Sequence, residues 1–197
     1  MCSKSDLEAF VTENSKDGDL FFMRRSWHPL KSFADILVAV KDGIAHVAVV
    51  LRKDGIVWVF DASLGGPRTF TLRQYLDRYE TFEYACLYRP RHSPDTKCLF
   101  EMRDLSFKYA GLRVRGENVH SCTSLARKAL VECNTAARVH GYTDTWRDGV
   151  FPSSLMRLGD SSGGEVLFEC GERSKIKKHR FVSLLVVASV VFVLARF

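Results

Sequence analysis

The chain has 197 residues, which is enough for one domain with a short appendage. Its 46% hydrophobic and 26% charged content is typical of a globular protein with an adequate core. The formal charge of +6 is partly concentrated in residues 172–180. No recognition helix or aromatic–basic platform accompanies it, which argues against a nucleic-acid partner.

The cysteines argue against a disulfide framework. The six are scattered without a CxxC pair: Cys2, Cys86, Cys98, Cys122, Cys133 and Cys170. The N-terminus lacks the apolar core of a signal peptide, so we expect a reduced, cytosol-facing environment. We interpret Cys86, Cys98 and Cys133 as small buried hydrophobic residues. No metal-ligand spacing is present, and we expect neither a metal nor a cofactor.

Hydrophobic periodicity and turn residues divide the chain into short helices and strands. In chain order they predict a helix within 1–17, a strand from Leu20, a hairpin over 44–61, a turn over 62–67, a helix over 71–79, a strand over 82–88, helices over 99–109 and 122–138, a helical turn over 151–156 and a strand over 166–168. Segment 33–40 is apolar and short, and its pattern does not choose between helix and strand.

The hairpin carries an imidazole near its start and a carboxylate at its end. His46 and Asp61 lie on either side of Asp54-Gly55, a strong turn signal. If Asp54-Gly55 is a two-residue loop, Asp61 lies diagonal to His46; if the loop is 53–54 or 52–55, the two are directly opposite. Every even-length loop puts both side chains on one face, and a three-residue loop separates them. On one face they are within reach of a hydrogen bond.

A helix predicted to begin near Cys122 provides a thiol. Apolar residues follow at helical spacing: Leu125, Ala126, Ala129, Leu130 and Cys133. With Ser121 as a plausible N-cap, the thiol lies in the first turn, where unpaired N–H groups and the helix dipole favour a thiolate. Cys122, His46 and Asp61 together would form a papain-like triad. His120 is a rival base, although a residue two positions before the thiol usually points away from it.

The C-terminal segment differs in composition from the rest of the chain. Phe181–Ala195 contains no charged residue, and the 17 residues to Phe197 would span about 25 Å as a helix. A buried helix of the domain is the alternative, but the segment is apolar on all faces and follows the basic cluster. We predict a papain-like domain over 1–171, a basic linker over 172–180 and a transmembrane tail anchor over 181–197. The basic residues favour a domain that faces the cytoplasm.

Five short motifs occur in an order that resembles a known superfamily. They are Gly18-Asp19-Leu20-Phe21, Ala45-His46-Val47-Ala48-Val49-Val50-Leu51, Val59-Phe60-Asp61-Ala62, Cys122-Thr123-Ser124-Leu125 and Phe151-Pro152-Ser153-Ser154-Leu155. The series looks like the circularly permuted NlpC-type papain-like superfamily, in particular its YiiX-like branch with bacterial and poxviral members. The resemblance implies a small β-barrel-like sheet with the nucleophile helix packed on it. It also implies that Cys122 is the nucleophile, His46 the base and Asp61 the residue that orients the base.

The chain departs from that pattern at two positions. Family members commonly have Glu where Asp61 stands and an aromatic residue where Ser121 stands. The related lecithin–retinol acyltransferase-like enzymes share the core and an apolar C-terminal tail. They typically have a second histidine in place of Asp61 and Asn-Cys-Glu at the nucleophile, and this chain has neither.

Together these patterns predict an α+β, papain-like antiparallel sheet with a nucleophile helix and a C-terminal transmembrane helix. The predicted function is a membrane-anchored cysteine hydrolase or acyltransferase that acts on an amide or ester of an acylated lipid or a peptide. The alternative is a catalytically silent, membrane-anchored interaction protein that retains the fold. The predicted bilayer contact is made through residues 181–197.

Overall fold

A computed structural model describes residues 3–25, 44, 46–63, 66–79, 81–109, 122–141 and 152–171. Its strands are β1 (Leu20–Arg25), β2 (His46–Lys53), β3 (Ile56–Ser63), β4 (Gly66–Thr71), β5 (Phe82–Arg89) and β6 (Glu165–Gly171). Its helices are α1 (Lys4–Asn14), α2 (Leu72–Asp77), α3 (Thr96–Tyr109), α4 (Cys122–Glu132), α5 (Thr135–Val139) and α6 (Pro152–Ser161). The strands form a six-stranded antiparallel sheet in the order β4-β3-β2-β1-β5-β6.

The β2–β3 hairpin turns on Asp54 and Gly55. Both have positive φ, 53° and 75°, as a type I′ turn requires, and Lys53 is directly opposite Ile56. The two-residue Asp54-Gly55 loop is therefore confirmed among the alternatives left open by the sequence. Its consequence is that odd positions of β3 share a face with even positions of β2.

Each face of the sheet is covered by a different group of helices. Side chains of α1 and α2, including Leu7, Val11, Tyr75 and Leu76, pack on the face of the hairpin that carries Ala48, Val50, Val57 and Val59. Side chains of α3, α4 and α6, including Leu99, Leu125, Ala129 and Leu155, pack on the face that carries Val47, Val49, Leu51 and Phe60. Burial on both faces explains why the strands are almost continuously apolar in sequence.

Most predicted elements are confirmed within the described ranges, and two have wrong bounds. The chain reverses direction within 62–67 as predicted, but β3 runs to Ser63 and pairs antiparallel with β4 from Gly66, a strand that was not predicted. Pro67 is compatible with β4 because β4 is an edge strand, where a missing N–H need not break a ladder. Segments 33–40 and 142–151 lie outside the described residues.

The second wrong element is the helix predicted over 122–138. The helix α4 ends at Glu132, and α5 begins separately at Thr135. The two residues between these helices, Cys133 and Asn134, form hydrogen bonds with residues distant in sequence. The Cys133 carbonyl accepts from the Asp95 N–H, and the Asn134 side-chain amide donates to the His92 carbonyl. These contacts come from the segment before α3, so the periodicity of α4 does not reveal them.

Disulfide bonds are present, although the scattered cysteines argued against a disulfide framework. Cys98 at the start of α3 forms a disulfide with Cys133 just after α4, with Cα atoms 5.3 Å apart. The interpretation of Cys98 and Cys133 as unbonded hydrophobic residues is therefore wrong, whereas Cys86 is buried in the core as expected. The pairing depends on the approach of α3 to the end of α4, which a separation of 35 residues in the chain does not indicate.

The predicted transmembrane helix over 181–197 lies outside the described residues. Within the ranges that are described, no helix is long and apolar enough to cross a bilayer. The longest of them, α3, has 14 residues, fewer than the roughly 20 that a bilayer core requires. The predicted fold class is corrected accordingly: the described part of the chain is α+β with an antiparallel sheet, and the transmembrane helix of that prediction is not among its helices.

Reduction of the Cys98–Cys133 disulfide is expected to destabilise the domain. Closing a loop of 35 residues removes unfolded-state entropy worth about 3–4 kcal/mol in the chain-entropy model. Thermal unfolding followed by circular dichroism should show a lower Tm with excess dithiothreitol. The control is the Cys98→Ser/Cys133→Ser variant, whose Tm should be low without reductant. Any decrease in Tm that this variant still shows with dithiothreitol would come from the disulfide of Cys170. An equal response of both proteins to reductant would contradict the prediction.

Candidate active site

His46 and Asp61 are hydrogen-bonded across the hairpin. The Nε2 atom of His46, the first residue of β2, lies 2.5 Å from Oδ1 of Asp61 in β3. The Asp61 side chain is 1% exposed and the His46 side chain 19% exposed, so the ring separates a buried carboxylate from solvent. The turn register predicts both side chains on one face, and this contact confirms it.

Cys122 approaches the same ring from the other side of the sheet. It is the first residue of α4, which packs on the opposite face through Leu125, Ala126 and Ala129. At the start of β2, the Cys122 thiol interacts with the His46 ring and accepts a hydrogen bond from the Val47 backbone N–H. The thiol is half-buried, with Thr123 Oγ1 at 3.9 Å from Sγ.

The surroundings of Cys122 favour its thiolate. Burial acts to raise the pKa of the thiol, but the charge and hydrogen bond of His46 act in the opposite direction. Hydrogen bonds from the Val47 N–H and the Thr123 side chain add to the effect, and the pKa of Cys122 lies below its usual range. The first turn of a helix supports this direction because its free N–H groups stabilise an anion.

The surroundings of His46 favour its protonated form. Burial acts to lower the pKa of the ring, but the adjacent Cys122 thiolate and the bonded Asp61 carboxylate hold that pKa well above its usual value. The lowered pKa of the thiol and the raised pKa of the ring both favour the thiolate–imidazolium form of the pair. The titrations of the two groups are coupled.

Asp61 is the anion behind the ring. Burial acts to raise the pKa of its carboxyl, but the hydrogen bond and charge of His46 lower it, and Arg78 lowers it further. Arg78 Nη1 lies 3.3 Å from Asp61 Oδ2. Because the carboxylate only accepts, the hydrogen on Nε2 points to Asp61, and Nδ1 is the ring nitrogen left for Cys122.

The three predicted site residues, Cys122, His46 and Asp61, therefore converge. Two other positions considered in the sequence, Ser121 and His120, lie outside the described residues. His92, which follows β5, stacks on His140 with ring centroids 5.1 Å apart. Within the described ranges, no group of three or more His, Cys, Asp or Glu side chains could hold a metal ion.

Three contributors to the site were missed in the sequence. The Val47 N–H has no sequence signal because every residue other than proline carries one. Thr123 was part of a motif, but only its neighbour Cys122 was given a role. Arg78 follows a short helix, and the sequence around it does not indicate that the end of this helix lies next to Asp61 in β3. Its position among Tyr75 and Tyr79 is a weak signal for a stacked guanidinium.

This arrangement can support nucleophilic chemistry at a carbonyl. A sulfur whose lowered pKa favours the thiolate lies at a helix N-terminus, the ring beside it can donate to a leaving group when protonated, and a buried acid fixes the ring's tautomer. The Cys122 backbone N–H, in the first turn of α4, is a candidate donor to a developing oxyanion.

A scan against models of protein families finds no match for this chain. A search of curated proteins likewise finds no significantly similar sequence.

Alkylation of Cys122 by iodoacetamide is expected to persist at pH values where an ordinary thiol is protonated. The midpoint of the rate against pH should lie below that of a free cysteine, about 8.5, because His46 lowers the pKa of Cys122. His46→Gln should move the midpoint upward, since burial then opposes ionisation without a cationic partner. Quantitative mass spectrometry of the Cys122 peptide measures the rate, with buried Cys86 as the internal comparison. Identical midpoints in the two proteins would exclude the thiolate–imidazolium pair.

Proposed function

We propose that this chain is a cysteine hydrolase or acyltransferase that acts on an amide or ester carbonyl through Cys122, His46 and Asp61. The observation that carries the proposal is the convergence of three side chains: Cys122 contacts the His46 ring, and Asp61 Oδ1 lies 2.5 Å from Nε2 of the same ring. The directions of the pKa shifts of Cys122 and His46 support it. Structural ion pairs also shift pKa values, but a half-buried thiol at a helix N-terminus is placed to react.

In the first step the Cys122 sulfur attacks the carbonyl carbon of the substrate. A C–S bond forms while the carbonyl π electrons move to oxygen, which becomes an oxyanion. The Cys122 backbone N–H is the available donor to that oxygen, and the helix dipole favours the negative charge. The Val47 N–H and Thr123 contacts stabilise the sulfur anion before attack.

In the second step the tetrahedral intermediate collapses. The imidazolium of His46 donates its Nδ1 proton to the leaving nitrogen or oxygen, the C–N or C–O bond breaks, and the acyl group remains on Cys122 as a thioester. Asp61 keeps the ring oriented by accepting from Nε2 throughout. The ring leaves this step neutral and able to act as a base.

In the third step the thioester is resolved. Neutral His46 takes a proton from water or from an acceptor alcohol or amine, whose oxygen or nitrogen attacks the thioester carbon. Collapse breaks the C–S bond and regenerates the thiolate beside the imidazolium. Water as the nucleophile gives hydrolysis, and an alcohol or amine gives acyl transfer.

The motif order supports the same proposal. The resemblance to the permuted NlpC-type papain-like superfamily assigns the same roles to Cys122, His46 and Asp61, and we propose that the chain belongs to that superfamily. Asp61 is shorter than the Glu that is common there. The 2.5 Å contact with His46 shows that the shorter acid reaches the ring across this hairpin.

Cys122→Ala and His46→Ala are each expected to abolish acyl-enzyme formation with p-nitrophenyl butyrate, an activated ester used here as the probe. Intact-mass measurement after an acid quench should show a butyryl thioester on the unaltered protein, and digestion should locate it on Cys122. The matched control is Cys86→Ala, which alters a buried cysteine outside the site and should still acylate.

Circular dichroism establishes that each variant is folded. Acylation elsewhere than Cys122, or acylation retained in His46→Ala at the original rate, would reject the proposed mechanism. The interaction-protein alternative predicts no acylation of the unaltered protein.

A further inference from the structure

Arg78 lies behind the carboxylate that orients the catalytic ring. It follows α2, which starts where β4 ends: the Thr71 side chain caps the helix and forms a capping box with Gln74. The helix α2 packs on the sheet through its buried side chains. This packing places the end of α2 next to Asp61, and Arg78 Nη1 lies 3.3 Å from Asp61 Oδ2.

The two oxygens of Asp61 are divided between two partners. Oδ1 accepts from His46 and Oδ2 accepts from Arg78. With 1% of its side chain exposed, Asp61 has little access to water that could replace either donor. If Arg78 were lost, a buried carboxylate oxygen would lose its partner, which favours protonation or rotation of the carboxyl group.

An aromatic cluster limits the orientations of the Arg78 guanidinium. Its Cζ lies 4.4 Å from the centroid of the Phe70 ring and 5.8 Å from those of Tyr75 and Tyr79. Stacking on aromatic faces is favourable for a guanidinium and restricts its freedom. The side chain is 32% exposed, so the cation retains some hydration while one nitrogen contacts the buried acid.

We propose that Arg78 is a positioning residue that holds the Asp61 carboxylate ionised and directed at His46, and thereby maintains the thiolate–imidazolium pair as the medium becomes more acidic. The proposal rests on the proposed function for the roles of Cys122, His46 and Asp61. Arg78 itself acts only through Asp61, because its hydrogen bond is to the oxygen that faces away from the ring.

Four charged or titratable groups face Asp61 from the packed elements. His46 comes from β2, Arg78 and Tyr75 come from α2 and its end, and Arg68 of β4 is directly opposite Asp61 in register. Burial, with a smaller contribution from Asp61, raises the pKa of Tyr75 well above its usual value, so this group stays neutral. Arg68 is exposed, and in the described ranges the ion pairs of Asp61 are with His46 and Arg78. Arg68 is therefore a matched control.

The experiment compares Arg78→Met with Arg68→Met in the full chain, using iodoacetamide as the probe of Cys122. In Arg78→Met the carboxyl of Asp61 accepts a proton more readily, so the imidazolium loses its partner as pH falls and the thiolate is protonated. Alkylation of Cys122 near pH 5.5 should be about three- to tenfold slower than in the unaltered protein. Near pH 8.5 the two rates should agree, and Arg68→Met should follow the unaltered protein at both pH values.

A second comparison tests whether Arg78 acts through Asp61. In an Asp61→Asn background, adding Arg78→Met should cause no further slowing at low pH, because the carboxylate is already absent. Arg78→Lys should recover part of the lost rate, since lysine supplies a cationic donor to Asp61 but lacks the planar guanidinium that stacks on the aromatic rings. A merely structural role would lower Tm without changing the pH dependence of the folded protein. If Arg78→Met does not fold, Arg78→Gln replaces it.

Three results would overturn the proposal: an unchanged pH profile in folded Arg78→Met, an equal change in Arg68→Met, or an equal further loss in the Asp61→Asn background. Failure of the proposed function is detected separately. If the unaltered protein never forms a butyryl thioester while Arg78→Met still changes the alkylation profile, the enzyme proposal fails and the positioning role of Arg78 stands.

Discussion

The hydrogen bond between His46 and Asp61 is the interaction on which the candidate site depends. It couples a mostly buried imidazole to a carboxylate that is almost completely buried, so the ring's tautomer and direction are determined from inside the protein. The bond exists only because the Asp54-Gly55 turn has an even number of residues. A shift of one residue in this register would put the acid on the α4 face and leave the ring without a partner.

This bond belongs to a series of four contacting side chains whose charges alternate in sign. Arg78 is cationic, Asp61 anionic, His46 favours the cation and Cys122 favours the anion. In a poorly hydrated setting each group compensates the burial of the next, which explains why burial does not neutralise them. Arg78 comes from the end of α2 on one face of the sheet and Cys122 from α4 on the other, and both reach the series near His46 at the start of β2. The site is thus assembled from both layers of helices and not from the hairpin alone.

The fold was largely predictable from local patterns where those patterns had a single interpretation. The Asp-Gly turn, the alternation of the hairpin and the helical spacing over 71–79 all act over fewer than about ten residues, and each predicted element is present. Predictions were wrong where distant contacts decided the outcome. Glycine and proline indicated the turn over 62–67 but not the edge strand that begins at Gly66, and the α4 periodicity continued beyond the point where Asp95 and His92 form hydrogen bonds with the residues after the helix.

The sequence by itself determined the chemical groups and the parity that allows His46 and Asp61 to meet, because alternation along strands and turn length are local properties. Only the tertiary structure decided that Cys122 comes to the ring from the opposite face, that Val47 donates to its sulfur and that Arg78 completes the environment of Asp61. It also decided that Cys98 and Cys133 are paired. The physical reason is that these contacts depend on how helices pack against the sheet, and packing joins residues whose separation along the chain carries no information about their distance.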